Sequence, residues 1–204
     1  AAAQTASPAP HVGPTHGSLV VVGGNLHDPA IYKRFIELAG GPDQLIVVIP
    51  TAGGARTYDQ SYSGLQPWKA AGATNVRVLH TYDRAEADSE AFVEPLTRAH
   101  GVFFDGGRQW RLADAYLSTR TQRELDALLD RGGVIGGSSA GATIIGSFLV
   151  RGDTKTNETV IGDHVVGLGF LRGVAIDQHV LQRNRQFDLM DVVAAYPDLL
   201  GIGI

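Results

Sequence analysis

Gly137-Ser138-Ser139-Ala140-Gly141 sets a serine inside a G-x-S-x-G run. Such a run does chemistry when a strand ends on it and a helix starts from it, because the strained turn lifts the serine hydroxyl clear of the backbone and tolerates only small neighbours. Val134-Ile135-Gly136 precedes it as a short strand, and Ala140, Gly141 and Ala142 open a helix. Unpaired N–H groups at that helix start would face negative charge developing on a bound carbonyl. A Gly-rich turn can also merely pack closely or cradle a phosphate. A phosphate loop wants the Lys and Ser/Thr of G-x-x-x-x-G-K-[ST], and no Lys follows here. Ser139 is the candidate nucleophile.

A second turn, Asp105-Gly106-Gly107-Arg108-Gln109, ends an apolar run at what would be the carboxyl edge of a parallel sheet, where open α/β folds bind ligands. The amides of Gly107 and Ala140 could together form an oxyanion hole. A serine nucleophile also needs a base. Of seven histidines, His11 and His16 lie near the N-terminus, His27 and His80 follow early strands, His100 precedes one, and His164 sits in a polar stretch. His179 differs, because Val174-Ala175-Ile176-Asp177-Gln178-His179 delivers three polar groups at the end of an apolar strand, with Arg183 and Arg185 close behind. Two guanidinium forks there would suit a substrate carrying carboxylates, although a solvated helix start would use the same residues.

These residues need a frame to hold them. Leu19 to Val22, Leu45 to Pro50, Val76 to Leu79, Gly101 to Asp105 and Val134 to Gly136 read as buried strands. Helices are expected from Asp28 as N-cap with Pro29 first to a stop at Gly40-Gly41, from beyond the Thr51 to Arg56 loop to near Gly72, from Ser89 to Arg98, from a capping box at Thr121 to Glu124, and from Ala140 to Leu149. Repeated β-α-β units imply an α/β fold with a doubly wound, mostly parallel sheet.

Hydrophobic residues make up 44% and charged residues 19% of the 204 residues, with a net charge of -4. That gives no basic face for nucleic acid or an anionic membrane, and no apolar run nears the length of a membrane helix. No cysteine is present, which excludes disulfides and thiolate chemistry. The histidines lack metal-site spacing such as H-E-x-x-H, and no complete G-x-G-x-x-G appears, so no metal or cofactor is expected. The small, proline-rich start Ala1 to Pro10 suits either a removed signal peptide, hence a secreted or periplasmic protein, or a flexible end. Residues 1–17 are expected as a lead and 18–204 as one α/β domain.

With these motifs in their order, residues 18 to 204 resemble the cyanophycinase and dipeptidase E group of serine peptidases, peptidase family S51, and cyanophycinase more closely. The resemblance rests on Val20 to Gly24, the Gly-Gly turn with Gln109, the Ser-Ala-Gly-Ala elbow, Gly167 to Leu171, Asp177-Gln178-His179 and Gly201 to Ile204. It implies a fold like that of class I glutamine amidotransferases, Ser139 as nucleophile, His179 as base, and cleavage next to aspartate, in cyanophycinases at β-linked Asp-Arg units. It also implies that Gln109, Asp177, Gln178, Arg183 and Arg185 shape the substrate pocket, and that the chain pairs as a homodimer, as relatives often do. Two departures stand out. Asp188 occupies the position of a third family arginine. The last strand stops at Ile204, where the family continues into an acidic pair, so the triad acid is Asp153, Glu158 or a residue beyond Ile204. From that end we expect a second polypeptide made by cleavage after Ile204. An autoprocessed two-chain amidohydrolase with an N-terminal nucleophile, and a non-catalytic peptide-binding domain, are the alternative functions.

Overall fold

Side chains in β2 (Ile46–Ile49) alternate between two apolar environments: Ile46 and Val48 join one buried cluster, Val47 and Ile49 the other. All four are buried, as a strand covered by helices on both faces requires. The computed structural model describes residues 12–204, so residues 1–11 of the expected lead lie outside it. Val12 accepts a hydrogen bond from the amide of Arg172 at 2.7 Å.

β1 (Ser18–Val22), β2, β3 (Val76–Val78), β4 (Gly101–Phe104) and β5 (Val134–Ser138) pair in parallel in the order β1-β5-β4-β2-β3. α1 (Pro29–Leu38) and α2 (Gln66–Ala70) cover one face. There Trp68 meets Tyr32, Phe35 and Phe103 edge-on, at centroid distances of 4.9, 5.0 and 5.1 Å. After the short α3 (Arg84–Ala87), the helices α4 (Glu90–Arg98), α5 (Gln109–Tyr116) and α6 (Arg120–Asp130) cover the other face. This is the doubly wound arrangement expected, of the class I glutamine amidotransferase kind. A second sheet of β6 (Gly146–Gly152), β7 (His164–Val166), β8 (Leu171–Asp177) and β9 (Leu200–Gly203) follows, in the order β7-β6-β8-β9. Only its β6–β7 pair is antiparallel.

Helix starts follow local chemistry. Asp28 caps α1 by accepting from the amide of Ala30, with Pro29 at the first helical position, and Ser89 caps α4 by accepting from Phe92. Two expectations are corrected. The helix expected from Ala140 to Leu149 ends at Thr143 as α7 (Ala140–Thr143), and β6 takes over at Gly146. Gly146 and the β-prone Phe148 to Val150 suit an extended, doubly covered strand better than helix. The capping box expected at Thr121 does not form: Thr119 holds the N-cap position of α6 but donates its hydroxyl to the carbonyl of Tyr116, while Thr121 lies inside the helix and donates its hydroxyl to the carbonyl of Ala87. Gln122, three residues after the cap, reaches back to accept from the amide of Ser118 at 2.7 Å.

Candidate active site

β5 delivers the chain to Ser138, and α7 starts at Ala140, leaving Ser139 alone on the corner with φ 56° and ψ -114°. A side chain on Gly137 would bring a Cβ to 2.0 Å from the carbonyl oxygen of Gly141, so the corner closes only with glycine there. β8 ends at Asp177, and two residues on His179 also has a positive φ, 55°. The two corners hang from neighbouring carbonyls at the end of β1: the amide of Ser139 donates to Val22 at 3.0 Å and that of His179 to Gly23 at 3.1 Å. The side chains then meet, with Nε2 of His179 2.9 Å from Oγ of Ser139. For Nε2 to accept the hydroxyl proton, the neutral ring must carry its own proton on Nδ1.

Burial, then the nearby cations of Arg183 and Arg185, hold His179 below the ordinary imidazole value against the pull of Asp177. A ring kept neutral at neutral pH is ready to accept a proton. Beside it opens a cleft of about 470 Å³, lined among others by Gly24, Asn25, Leu181, Arg183 and Ile204. Arg183 is exposed at the rim, and while its amide donates to the carbonyl of His179 at 2.9 Å, its side chain makes no hydrogen bond or ion pair among the described residues. Its guanidinium is free to meet a carboxylate. The amides of Gly107 and Ala140 donate to no acceptor among the described residues. Gly106 rather than Gly107 stands against Ser139, since a Cβ on Gly106 would lie 3.3 Å from that of Ser139.

The remaining expected site residues are less available. Gln109 is fully buried, donating from Nε2 to the carbonyls of Val150 and Arg151 at 2.7 and 2.8 Å, while its Oε1 has no partner among the described residues. Gln178 holds Oε1 3.5 Å from the Ser139 hydroxyl. Arg185 is buried and donates to the carbonyls of Gln178 and Asn157. Asp177 is 0% exposed and forms a two-point ion pair with Arg151. Neither internal candidate for the triad acid touches His179. Asp153 accepts from the amides of Lys155 and Thr156, closing its own loop, and Glu158 has no hydrogen bond to the ring. No carboxylate is hydrogen-bonded to Nδ1 of His179 among the described residues.

Sequence reasoning missed Arg151, Arg108 and Asp105. Arg151 interrupts the apolar run Phe148-Leu149-Val150, and a charge inside a buried strand is itself a sign of a buried partner. Arg108 donates to the carbonyls of Asp153 and Thr156, tying the β4–α5 turn to the loop after β6. Asp105, next to Gly106, is pushed up to about 6 by burial, tempered by the hydroxyl of Tyr62, which donates to it at 2.8 Å.

The described residues contain no group of His, Cys, Asp or Glu arranged to hold a metal ion, and no helix among them is long and apolar enough to cross a membrane. The family description "Peptidase family S51" matches residues 19–204. A cyanophycinase of Geminocystis herdmanii (strain PCC 6308) is 31% identical over 194 residues, covering 92% of this chain and 71% of the relative. One of Synechococcus elongatus is 33% identical over 201 residues, covering 93% of this chain and 61% of the relative. The chain thus spans 71% and 61% of the length of these two curated relatives. Among solved structures, a peptidase from an acI-B1 Actinobacterium shares the fold with a TM-score of 0.66 at 23% identity, covering 93% of this chain and 80% of that one. A putative peptidase E from Listeria monocytogenes EGD-e does so at 0.59 and 16%, covering 90% and 89%. Neither these likenesses nor the described contacts support the second polypeptide expected from the chain end.

Proposed function

This chain belongs to peptidase family S51, a family of serine-type peptidases, and we propose that it hydrolyses peptide or isopeptide bonds next to aspartate through Ser139 and His179. The observation that carries this reading is the 2.9 Å contact between Oγ of Ser139 and Nε2 of His179, made on a strand-to-helix corner beside an open cleft. His179 takes the hydroxyl proton as Oγ adds to the substrate carbonyl. The N–H groups of Gly107 and Ala140 receive the oxyanion. His179 then passes its proton to the leaving amine, and water, deprotonated by the same ring, releases the acyl group.

Aspartyl substrates are supported by the uncommitted guanidinium of Arg183 at the cleft rim, whose fork matches a carboxylate. The cyanophycinase relatives support β-linked Asp-Arg units as the first substrates to try. The burial of Asp177 argues that any substrate cation is bound elsewhere than on that carboxylate.

A fluorophosphonate probe tests the chemistry, and a panel of β-Asp-Arg, β-Asp-Leu and α-Asp-Leu dipeptides tests the substrate. Stoichiometric labelling mapped to Ser139, lost in Ser139→Ala together with dipeptide hydrolysis, is expected. A folded wild type that binds the dipeptides but takes no label would identify a binding domain instead.

A further inference from the structure

Arg151 is 1% exposed, on β6, and every one of its five N–H donors is used. Nε and Nη2 donate to the two oxygens of Asp177 at 2.9 and 3.1 Å. Nη2 also donates to Asp188, and Nη1 donates to the carbonyls of Glu158 at 3.0 Å and Asn157 at 3.4 Å. Desolvation draws its pKa down, but the bonds to Asp177 and Asp188 outweigh it and hold the guanidinium above its ordinary value. Asp177 passes this restraint onward. Its Oδ1 accepts from the amide of Gln178 at 2.9 Å, and the next residue is His179. The charge reversal at Asp188 thereby finds its partner.

A buried ion pair gains little over well-packed apolar side chains, because desolvating both charges offsets their attraction. What a planar, two-point fork does supply is a fixed geometry. Here that geometry fixes the peptide leading into the proposed base. We propose that Arg151 is a positioning residue for His179, acting through Asp177, and that its guanidinium fills the Asp177 carboxylate so that no outside cation binds there. The inference rests on the Ser139–His179 reading given above.

The rate of fluorophosphonate labelling reads the reactivity of Ser139 without reference to any substrate, while the labelled fraction at the end point counts folded sites. In Arg151→Ala the second-order labelling rate should fall about 100-fold at an unchanged end point. Guanidinium chloride at about 20 mM, far below denaturing concentrations, should restore a substantial part of it by entering the vacated site. The same salt should leave the wild-type rate unchanged, because its site is full. Should Arg151→Ala not fold, Arg151→Lys decides, with a rate lowered about 10-fold per labelled site because a point charge replaces the fork. A wild-type rate in whichever variant folds, a deficit in Arg151→Ala that guanidinium leaves unmoved, or inhibition of the wild type by that salt would each overturn the proposal alone. An unlabelled wild type would remove the nucleophile reading beneath it.

Discussion

Ser139 and His179 touch at 2.9 Å from two residues that both hold positive φ, 56° and 55°. Neither is glycine, so both corners carry backbone strain of roughly 1–3 kcal/mol that the surrounding fold sustains. At Ser139 this strain is separable from the hydroxyl. Ser139→Gly should raise stability by about 1 kcal/mol in urea unfolding, whereas Ser139→Ala should not, and both should lose at least about 1,000-fold in hydrolysis. Equal stability of the two variants would show that the corner is unstrained.

Gly24 makes room for the base. A Cβ there would stand 1.9 Å from Cε1 of His179, and its φ of 141° already disfavours a side chain. Gly24→Ala should therefore displace the ring and lower kcat about 100-fold while circular dichroism stays that of the parent. Unchanged kcat would mean that the ring is free to move without loss.

The low pKa of His179 sets the acid limb of activity. Its causes are burial, then Arg183 and Arg185, so the ring becomes protonated, and inactive as a base, only below the ordinary imidazole range. Removing the exposed cation in Arg183→Ala raises the affinity of the ring for a proton. The acid limb of kcat/KM should move to higher pH, and KM for aspartyl peptides should rise as the carboxylate loses its partner. A limb that stays in place would separate Arg183 from the ring.

Asp105 should tax the fold at neutral pH. Its folded pKa of about 6 lies above the ordinary carboxylate value, so the folded state holds a proton that the unfolded state has lost. Stability contributed by the protonated form is present at low pH and is lost as pH rises through about 6. Asp105→Asn should be more stable than the wild type by about 2–3 kcal/mol near pH 8, with the advantage shrinking toward about pH 4. Parallel stability–pH curves for the two proteins would contradict the assigned pKa.

Much of this was legible in the sequence. Apolar runs bounded by Gly or Pro mark four strands of the first sheet, the β-branched Val76-Arg77-Val78 marks the fifth, and the elbow with Asp177-Gln178-His179 marks the two side chains that meet. The second sheet was harder to read. Ile144 to Val150 carries no period that separates helix from strand, so the helix expected up to Leu149 overruns the first part of β6. The site was least legible where partners lie far apart in the chain. Nothing local in the sequence reveals that Arg151 pairs with the Asp177 carboxylate, and Gly24 reads there only as part of a tight turn because its spatial neighbour, His179, is distant in sequence.

The end of β1 has a consequence for how activity is lost. Consecutive carbonyls of Val22 and Gly23 carry the amides of Ser139 and His179, so one peptide unit acts as the gauge that spaces them. Among the described residues β1 is also the outermost strand of its sheet, paired with β5 alone. Edge elements open at lower free energy than the strands behind them. Warming should therefore unhook β1 first and silence the enzyme while β2, β4 and β5 still hold their hydrogen bonds, so that turnover reports the attachment of the first strand rather than the survival of the fold.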